Sequence, residues 1–238
     1  GDSWRKTDVG SDVTLELLKG HYMAVSLKDE NSQVNLNGTT ITVNSDETGA
    51  AEEPSDFVGG YTDFSVEGGL VDWGIINYDV PTYIQTRPLV LQVKIEGDNS
   101  QLVESITATV DGITLSRDLH NAFIEGGAQD RYPALTDGSV AYALGEVDSD
   151  GFYTGSRRLL GIDGRDRQTQ ELVLTVHYEG GFKKEYVFDI TSDLNGFHTR
   201  EITTPWIIRF ILRAGGDFEA TIEDWKAGPE DWLDATPV

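Results

Sequence analysis

The sequence predicts an all-β protein of two β-sandwich domains in tandem. Three observations carry that prediction. Apolar and polar residues alternate over short runs, the period of a half-buried strand, and no stretch keeps the period of a helix. Turn residues, above all Gly beside Asn, Asp or another Gly, punctuate those runs at near-regular spacing, as in sandwich proteins. The chain has 238 residues, a length ordinary for two domains of about 100–150 residues each. Neither βαβ alternation nor a fixed-period repeat is present.

The elements follow in order. Val13, Leu15 and Leu17 alternate, Lys19-Gly20 turns the chain, and Met23, Val25 and Leu27 alternate after it, so residues 12–28 read as a hairpin. Val34 and Leu36 precede Asn37-Gly38, and Ile41 and Val43 follow it. Asn-Gly supplies the two positive-φ residues of a type I′ turn, so this is a second hairpin. Residues 44–56, "NSDETGAAEEPSD", are small and acidic and read as a solvated loop. Strand character returns at "YTDFSV" (61–66) and, after a Gly-Gly turn, at "LVDWGIINYDV".

"TRPLVLQVKIEG" (86–97) is the sharpest strand, with Leu89, Leu91, Val93 and Ile95 on one face. Pro88 cannot donate to a ladder and belongs at the start or edge. The chain is expected to pass here from a first domain, residues 1–87, to a second, residues 88–238. "SITATVDGITLS" (105–116) reads as a hairpin turned by Asp111-Gly112, and a short helical turn is placed near "RDLHNAFIEGG". "SVAYALGEV" and "GSRRLLGI" flank the turn "DSDGFY". "QELVLTVHYEGG" and "FKKEYVFDIT" pair across Gly180-Gly181. "TTPWIIRFIL", nearly all apolar beyond Pro205, reads as a central strand. About seven strands are expected after residue 87 and about six before it.

Charge excludes some partners. The chain carries 41 acidic against 18 basic residues, a net charge of -23. Nucleic acid needs Lys and Arg against its phosphates, and anionic lipid surfaces attract the same residues. Neither partner is expected. There is no cysteine, hence no disulfide, thiolate nucleophile or Cys-ligated zinc. No apolar run is long enough for a transmembrane helix. The opening "GDSWRKTDVGSD" has neither initiator Met nor signal peptide and reads as a mature or trimmed chain.

No chemistry stands out. His21, His120, His177 and His198 share no metal-binding spacing. "DSDG" at 148–151 resembles the start of a calcium loop, with Glu146, Asp148 and Asp150 as alternate ligands. Arg157 then falls where a bidentate Glu is required, and an ordinary turn explains the residues better. Asp163 and Asp166 sit beside arginines in "GIDGRDR" and read as solvated pairs. No nucleophile elbow, phosphate loop or dinucleotide fingerprint appears, and no carboxylate pair is singled out for glycoside hydrolysis. No catalytic residue, metal or cofactor is therefore assigned. Tyr61, Trp73, Tyr78 and Tyr83 are candidates for an aromatic ligand surface, which would suit a glycan-binding protein. Their competing reading is core and cross-strand packing.

Several stretches together resemble one family. "YIQTRPLVLQVKIEG" followed by "LVESITATVDGI", and "DGFYTGSRRLLGI" followed by "LVLTVHYEGG" and "VFDIT", are similar to fimbrillin-like proteins of Bacteroidetes. "LLKGHYMAVSL" resembles the family's "LPPGxY" strand pair, and "GGDFEATIEDW" the tail of its minor, anchor-type subunits. The resemblance implies two transthyretin-like Greek-key β-sandwich domains, an exported surface or outer-membrane lipoprotein, and a part in fimbrium assembly, anchoring or adhesion without catalysis. Its implied partners are other fimbrial subunits joined by strand addition, with a host or bacterial surface ligand besides. Membrane attachment would be through a lipid on a first cysteine, where this chain has Gly1. The family carries more sequence before the "LPPGxY" pair, so the first sandwich is expected to be short or incomplete. Arg5-Lys6 would suit a basic-specific processing protease.

The ending "EATIEDWKAGPEDWLDATPV" places Trp225 and Trp232 in acidic surroundings. A Trp buries about 150–250 Å², at most roughly 4–6 kcal/mol of transfer free energy. At least one of the two is expected to dock on the second sandwich, with "EATIEDW" as a last strand. An exposed pair held out to a partner is the alternative.

Overall fold

The computed structural model describes residues 13–28, 33–67, 77–97, 100–122, 138–162, 169–194, 197, 204–214 and 220–227. The fold is all-β, as expected. The strands are β1 (Gly20–Lys28), β2 (Val34–Asn37), β3 (Thr40–Val43), β4 (Val58–Val66), β5 (Thr82–Ile84), β6 (Arg87–Gly97), β7 (Val103–Ile113), β8 (Ser116–Asp118), β9 (Gly138–Leu144), β10 (Phe152–Leu159), β11 (Glu171–Tyr178), β12 (Phe182–Asp189), β13 (Trp206–Ala214) and β14 (Ala220–Ala227). One helical turn, α1 (Leu119–Ala122), follows β8. Four sheets result, ordered β1-β4-β5, β2-β3-β8, β10-β6-β13-β14 and β12-β11-β7-β9.

The two four-stranded sheets enclose the larger core. Strict alternation puts Leu89, Leu91, Val93 and Ile95 of β6 on its buried face. β13 lies parallel to β6, and Trp206, Ile208, Phe210 and Leu212 join them. β13 is central, between β6 and β14, which accounts for its apolar sequence. Ile106 and Val110 of β7, Val140 and Tyr142 of β9, and Leu172, Leu174 and Val176 of β11 face them from the second sheet. Each fully buried aliphatic side chain contributes about 1.5–3 kcal/mol, so alternation fixes which face each strand buries. Burial also pushes the Tyr142 hydroxyl pKa upward. Pro88 occupies the second position of β6, where a missing donor is tolerated.

The two three-stranded sheets share a smaller core of Val34, Ile41, Val43, Phe57, Leu119 and Leu160, with Val25, Leu27 and Tyr61 against it. Leu119 and Leu160 come from chain beyond β6, and β8 pairs with β3. The buried guanidinium of Arg117 holds this crossing. Its Nη1 donates to the carbonyl and the side-chain Oε1 of Gln85, at 3.0 and 3.1 Å, and its Nη2 donates to the Leu160 carbonyl.

Some expectations change. The 12–28 hairpin does not form: β1 pairs antiparallel with β4, and residues 13–18 belong to no strand. The Asn37-Gly38 hairpin forms one residue out of step. Asn37 pairs with Thr40, so Gly38 and Thr39 make the turn and Gly38 alone takes φ 61° among the glycines there. That is where a type II′ turn places glycine. Asp111-Gly112 is not a hairpin turn either. β7 runs through it, and the register against β9 shifts at that point. Gly112 has φ 71°, and Gln170 Nε2 donates to its carbonyl at 3.2 Å. The left-handed glycine makes a bulge, which carries the strand on instead of reversing it. The Gly180-Gly181 hairpin forms as read, with φ 82° and 80° and Tyr178 opposite Phe182.

A Cβ on Gly112 would lie 2.5 Å from Gln170 Nε2. Gly112→Ala is therefore expected to cost roughly 2–4 kcal/mol from a strained φ plus a clash. Gly38→Ala meets nothing within 4 Å and should cost about 1 kcal/mol from φ alone. Urea titration of both variants checks the ordering. Arg117→Ala is expected to destabilise by roughly 2–4 kcal/mol through orphaned buried acceptors, and Arg117→Lys to recover only part, lacking the planar fork. The same titrations measure this.

Candidate functional site

With no cofactor chemistry legible in the sequence, edges and exposed aromatics are where function can reside. The described sheets end in eight edge strands. One side of the larger sandwich is drawn closed. Gly145 N donates to the Thr154 carbonyl at 2.9 Å and Arg157 Nε to the Ala141 carbonyl at 3.1 Å, joining β9 to β10. On the other side β12 is guarded by Lys183, Lys184 and Glu185, a charged edge of the kind that discourages strand addition. β1 (GHYMAVSLK), like the edges β2, β5 and β9, has no carboxylate, and among the described residues its ladder partner lies on one side only.

The outward face of this small sheet carries a stack of three rings. Tyr22 and Phe64 lie 5.6 Å apart and nearly parallel, and Phe64 and Tyr78 lie 4.3 Å apart. Pairing of Tyr22 with Phe64 across β1 and β4 fixes the first contact. The hydroxyls are anchored too: Tyr22 donates to the Leu18 carbonyl at 2.6 Å and Tyr78 to the Ser65 carbonyl at 2.7 Å. Phe64 spends both ring faces on its neighbours, and Tyr22 and Tyr78 spend one each. A sugar platform needs coplanar faces turned to solvent, so this geometry weighs against a glycan-binding surface here.

The aromatic candidates are not brought together. Tyr78 joins the stack. Tyr61 lies on the other face, stacked on His120 at 4.6 Å and packed against the smaller core. Desolvation, a hydrogen bond with Asp63 and the nearby Asp118 charge push its pKa up to about 12. Tyr83 is 45% exposed on β5, opposite Gly59. Trp225 stands on β14 opposite Ile208. Arg5, Lys6, Trp73 and Trp232 lie outside the described residues, as do Asp163, Asp166 and His198. Sequence reasoning missed Tyr22 and Phe64. Their partnership depends on a β1–β4 ladder whose strands are separated by two others, and only the even-numbered parity of Tyr22 against Met23 and Val25 hinted at an outward ring.

Polar groups elsewhere are consumed locally. The Asp148 carboxylate accepts from the amides of Asp150 and Phe152, both at 2.9 Å, and so builds the turn. Asp46 does likewise for Thr48 and Ala50, and the Thr48 bonds hold its pKa below the ordinary carboxylate value. A depression of about 300 Å³ beside it is lined by Glu52, Glu53 and Arg157, with Arg157 paired to Glu53 at 2.8 Å. Among the described residues no group of three His, Asp or Glu is placed to hold a metal.

These features define a β-sandwich protein whose exposed features are strand edges and a self-stacked aromatic row. Known proteins of the same fold follow from comparison. The chain is similar to a Bacteroides ovatus protein described as an adhesin, with TM-score 0.55 and 9% identity over 90% of this chain and 77% of that one. It is similar to the fimbrial anchor protein Mfa2 of Porphyromonas gingivalis, with TM-score 0.54 and 11% identity over 85% and 73%. A second Bacteroides ovatus adhesin gives TM-score 0.52 and 10% identity over 73% and 66%. The chain thus spans from 66% to 77% of the lengths of these proteins, and the likeness is one of fold. No protein-family model matches the sequence, and no curated protein sequence matches it.

If the row is a packing device, Phe64→Ala should cost about 1–3 kcal/mol by removing the middle ring. Tyr83→Ala, outside the row, should stay within about 0.5 kcal/mol. Thermal melts of the two variants separate the cases.

Proposed function

We propose that the chain is a non-enzymatic cell-surface subunit that takes part in fimbrium assembly and cell adhesion, in an anchoring or minor-subunit role. The observation that carries this reading is the shared fold with a fimbrial anchor protein over 85% of the chain. The ordered sequence stretches that resemble fimbrillin-like proteins support it independently. Strand complementation is the proposed mode of assembly. An uncovered edge offers unpaired main-chain groups, and a neighbour's strand supplies their partners along with alternate side chains that set register.

The rest of the reading is proposed with it. Residues 1–87 and 88–238 act as two units, the second lending β8 and α1 to the first unit's sheet. The protein is exported and held at the outer membrane by a lipid, Arg5-Lys6 is a processing site, and Trp225 or Trp232 docks on the second sandwich.

Deleting the gene in its bacterium is expected to alter fimbrial length or release fimbriae into the medium, with adhesion reduced. Purified protein should also bind purified fimbrial subunits in a pull-down. Normal, firmly attached fimbriae in the deletion strain, together with no subunit binding, would sink the proposal.

A further inference from the structure

Among the described residues, the segment before Lys19 belongs to no strand and β1 has a ladder partner on one side only. Val13, Leu15 and Leu17 alternate and are 41%, 40% and 37% exposed, and Leu18 is 84% exposed. Just past Lys19, β1 has β4 on one side and, among the described residues, no strand on the other. Met23, Val25 and Leu27 alternate along it; Val25 and Leu27 pack on the smaller core, while Met23 remains 55% exposed.

Turn geometry keeps them from closing on each other within one chain. A two-residue Lys19-Gly20 turn would set Glu16 opposite Met23 and Thr14 opposite Val25. That register turns the polar side of the segment toward the core and the apolar side away from it, because a one-residue slip exchanges faces. A three-residue turn over Leu18-Lys19-Gly20 would restore the apolar side, but it calls for Gly20 in the left-handed region. Gly20 is instead committed to the ladder opposite Val66 and is absent from the positive-φ glycines.

We propose that a second copy of this chain supplies the partner: the Val13–Leu18 segment of each copy adds to the β1 edge of the other. This rests on strand addition as the mode of assembly and names an occupant for one edge. A strand from another molecule has no turn to satisfy. With residues 13–28 of both copies straightened past the bend at Lys19, which releases the Tyr22–Leu18 hydrogen bond, and set antiparallel about a two-fold axis at Gly20, Val13 meets Leu27, Leu15 meets Val25 and Leu17 meets Met23. All six side chains then share the core-facing side. The contact is isologous and closes as a dimer. Charge permits the approach in a chain of net charge -23, because β1 carries no carboxylate and the segment's one charge, Glu16, falls on the outward side. A standard interface buries about 800 Å² from 20–30 residues a side, or roughly 30 Å² per residue. Residues 13–18 and 20–28 of two copies would then bury roughly 900 Å², the size of a weak association. The dimer is therefore concentration-dependent, with a Kd in roughly the micromolar range.

The absence of native cysteine makes the test direct. Full-length Glu16→Cys is mixed with full-length Ala24→Cys under mild oxidation, because the proposed register sets these two residues opposite each other. Paired strand positions lie within disulfide reach. The disulfide-linked heterodimer should form at least about tenfold faster than in a mixture of Glu16→Cys with Asp150→Cys, whose cysteine sits on a distant turn. Adding Leu15→Asp and Leu17→Asp should abolish the excess while leaving the melting temperature unchanged, since both side chains are exposed in the monomer. Crosslinking no faster than the control, or unaffected by the Asp substitutions, overturns the inference. A chain that stays monomeric yet binds fimbrial subunits defeats this inference alone. A chain that dimerises, binds no subunit and leaves fimbriae normal and firmly attached when its gene is deleted defeats the fimbrial reading alone.

Discussion

The buried guanidinium of Arg117 is the point at which the smaller core is tied to chain on both sides of β6. It bonds to Gln85, just before β6, and to Leu160, just after β10, while its own strand β8 completes the sheet built on β3. Three distant parts of the chain are thereby held by one planar group. A fork of fixed donors suits carbonyl acceptors in different directions, where a flexible ammonium would not. Arg87 does related work at the start of β6. Its Nη1 donates to the Phe197 carbonyl at 2.8 Å and its Nε to the Thr204 carbonyl at 2.8 Å, and its guanidinium lies 4.7 Å from the Trp206 ring. Both arginines serve backbone that no ladder reaches. The smaller core takes Leu119 and Leu160 from chain beyond β6.

Much of this fold was legible in the sequence, and the boundary of legibility is physical. Alternation gave β6 because it buries one face completely, and a half-buried strand cannot hide its period; the nearly all-apolar run gave β13 because a central strand is covered on both faces. The paired glycines gave the β11–β12 hairpin because φ above zero is otherwise costly for the backbone. Local turn chemistry failed where two outcomes share the same residues. Asp-Gly at 111–112 can reverse a strand or bulge it, and only the placement of Gln170 and β9 decides. Asn-Gly at 37–38 likewise fixed a hairpin without fixing its register. Of the aromatic candidates among the described residues, Tyr78 alone entered the stacked row, because Phe64 and Tyr22 meet through a ladder that no local pattern encodes.

The N-terminal strand pair shows the same limit most sharply. Residues 12–28 have the composition of a hairpin, yet β1 takes β4 as its partner. Nine ladder pairs with β4 outweigh what a short hairpin of the wrong parity could offer. The consequence reaches beyond local structure. Once Gly20 is extended in that ladder, the alternating apolar residues before it can no longer fold back with their apolar side toward the core. A conflict that a monomer cannot resolve by turning can be resolved by a second molecule. Edge strands that must stay single are ordinarily marked with charge, as β12 is with two lysines and a glutamate. β1 has no comparable guard.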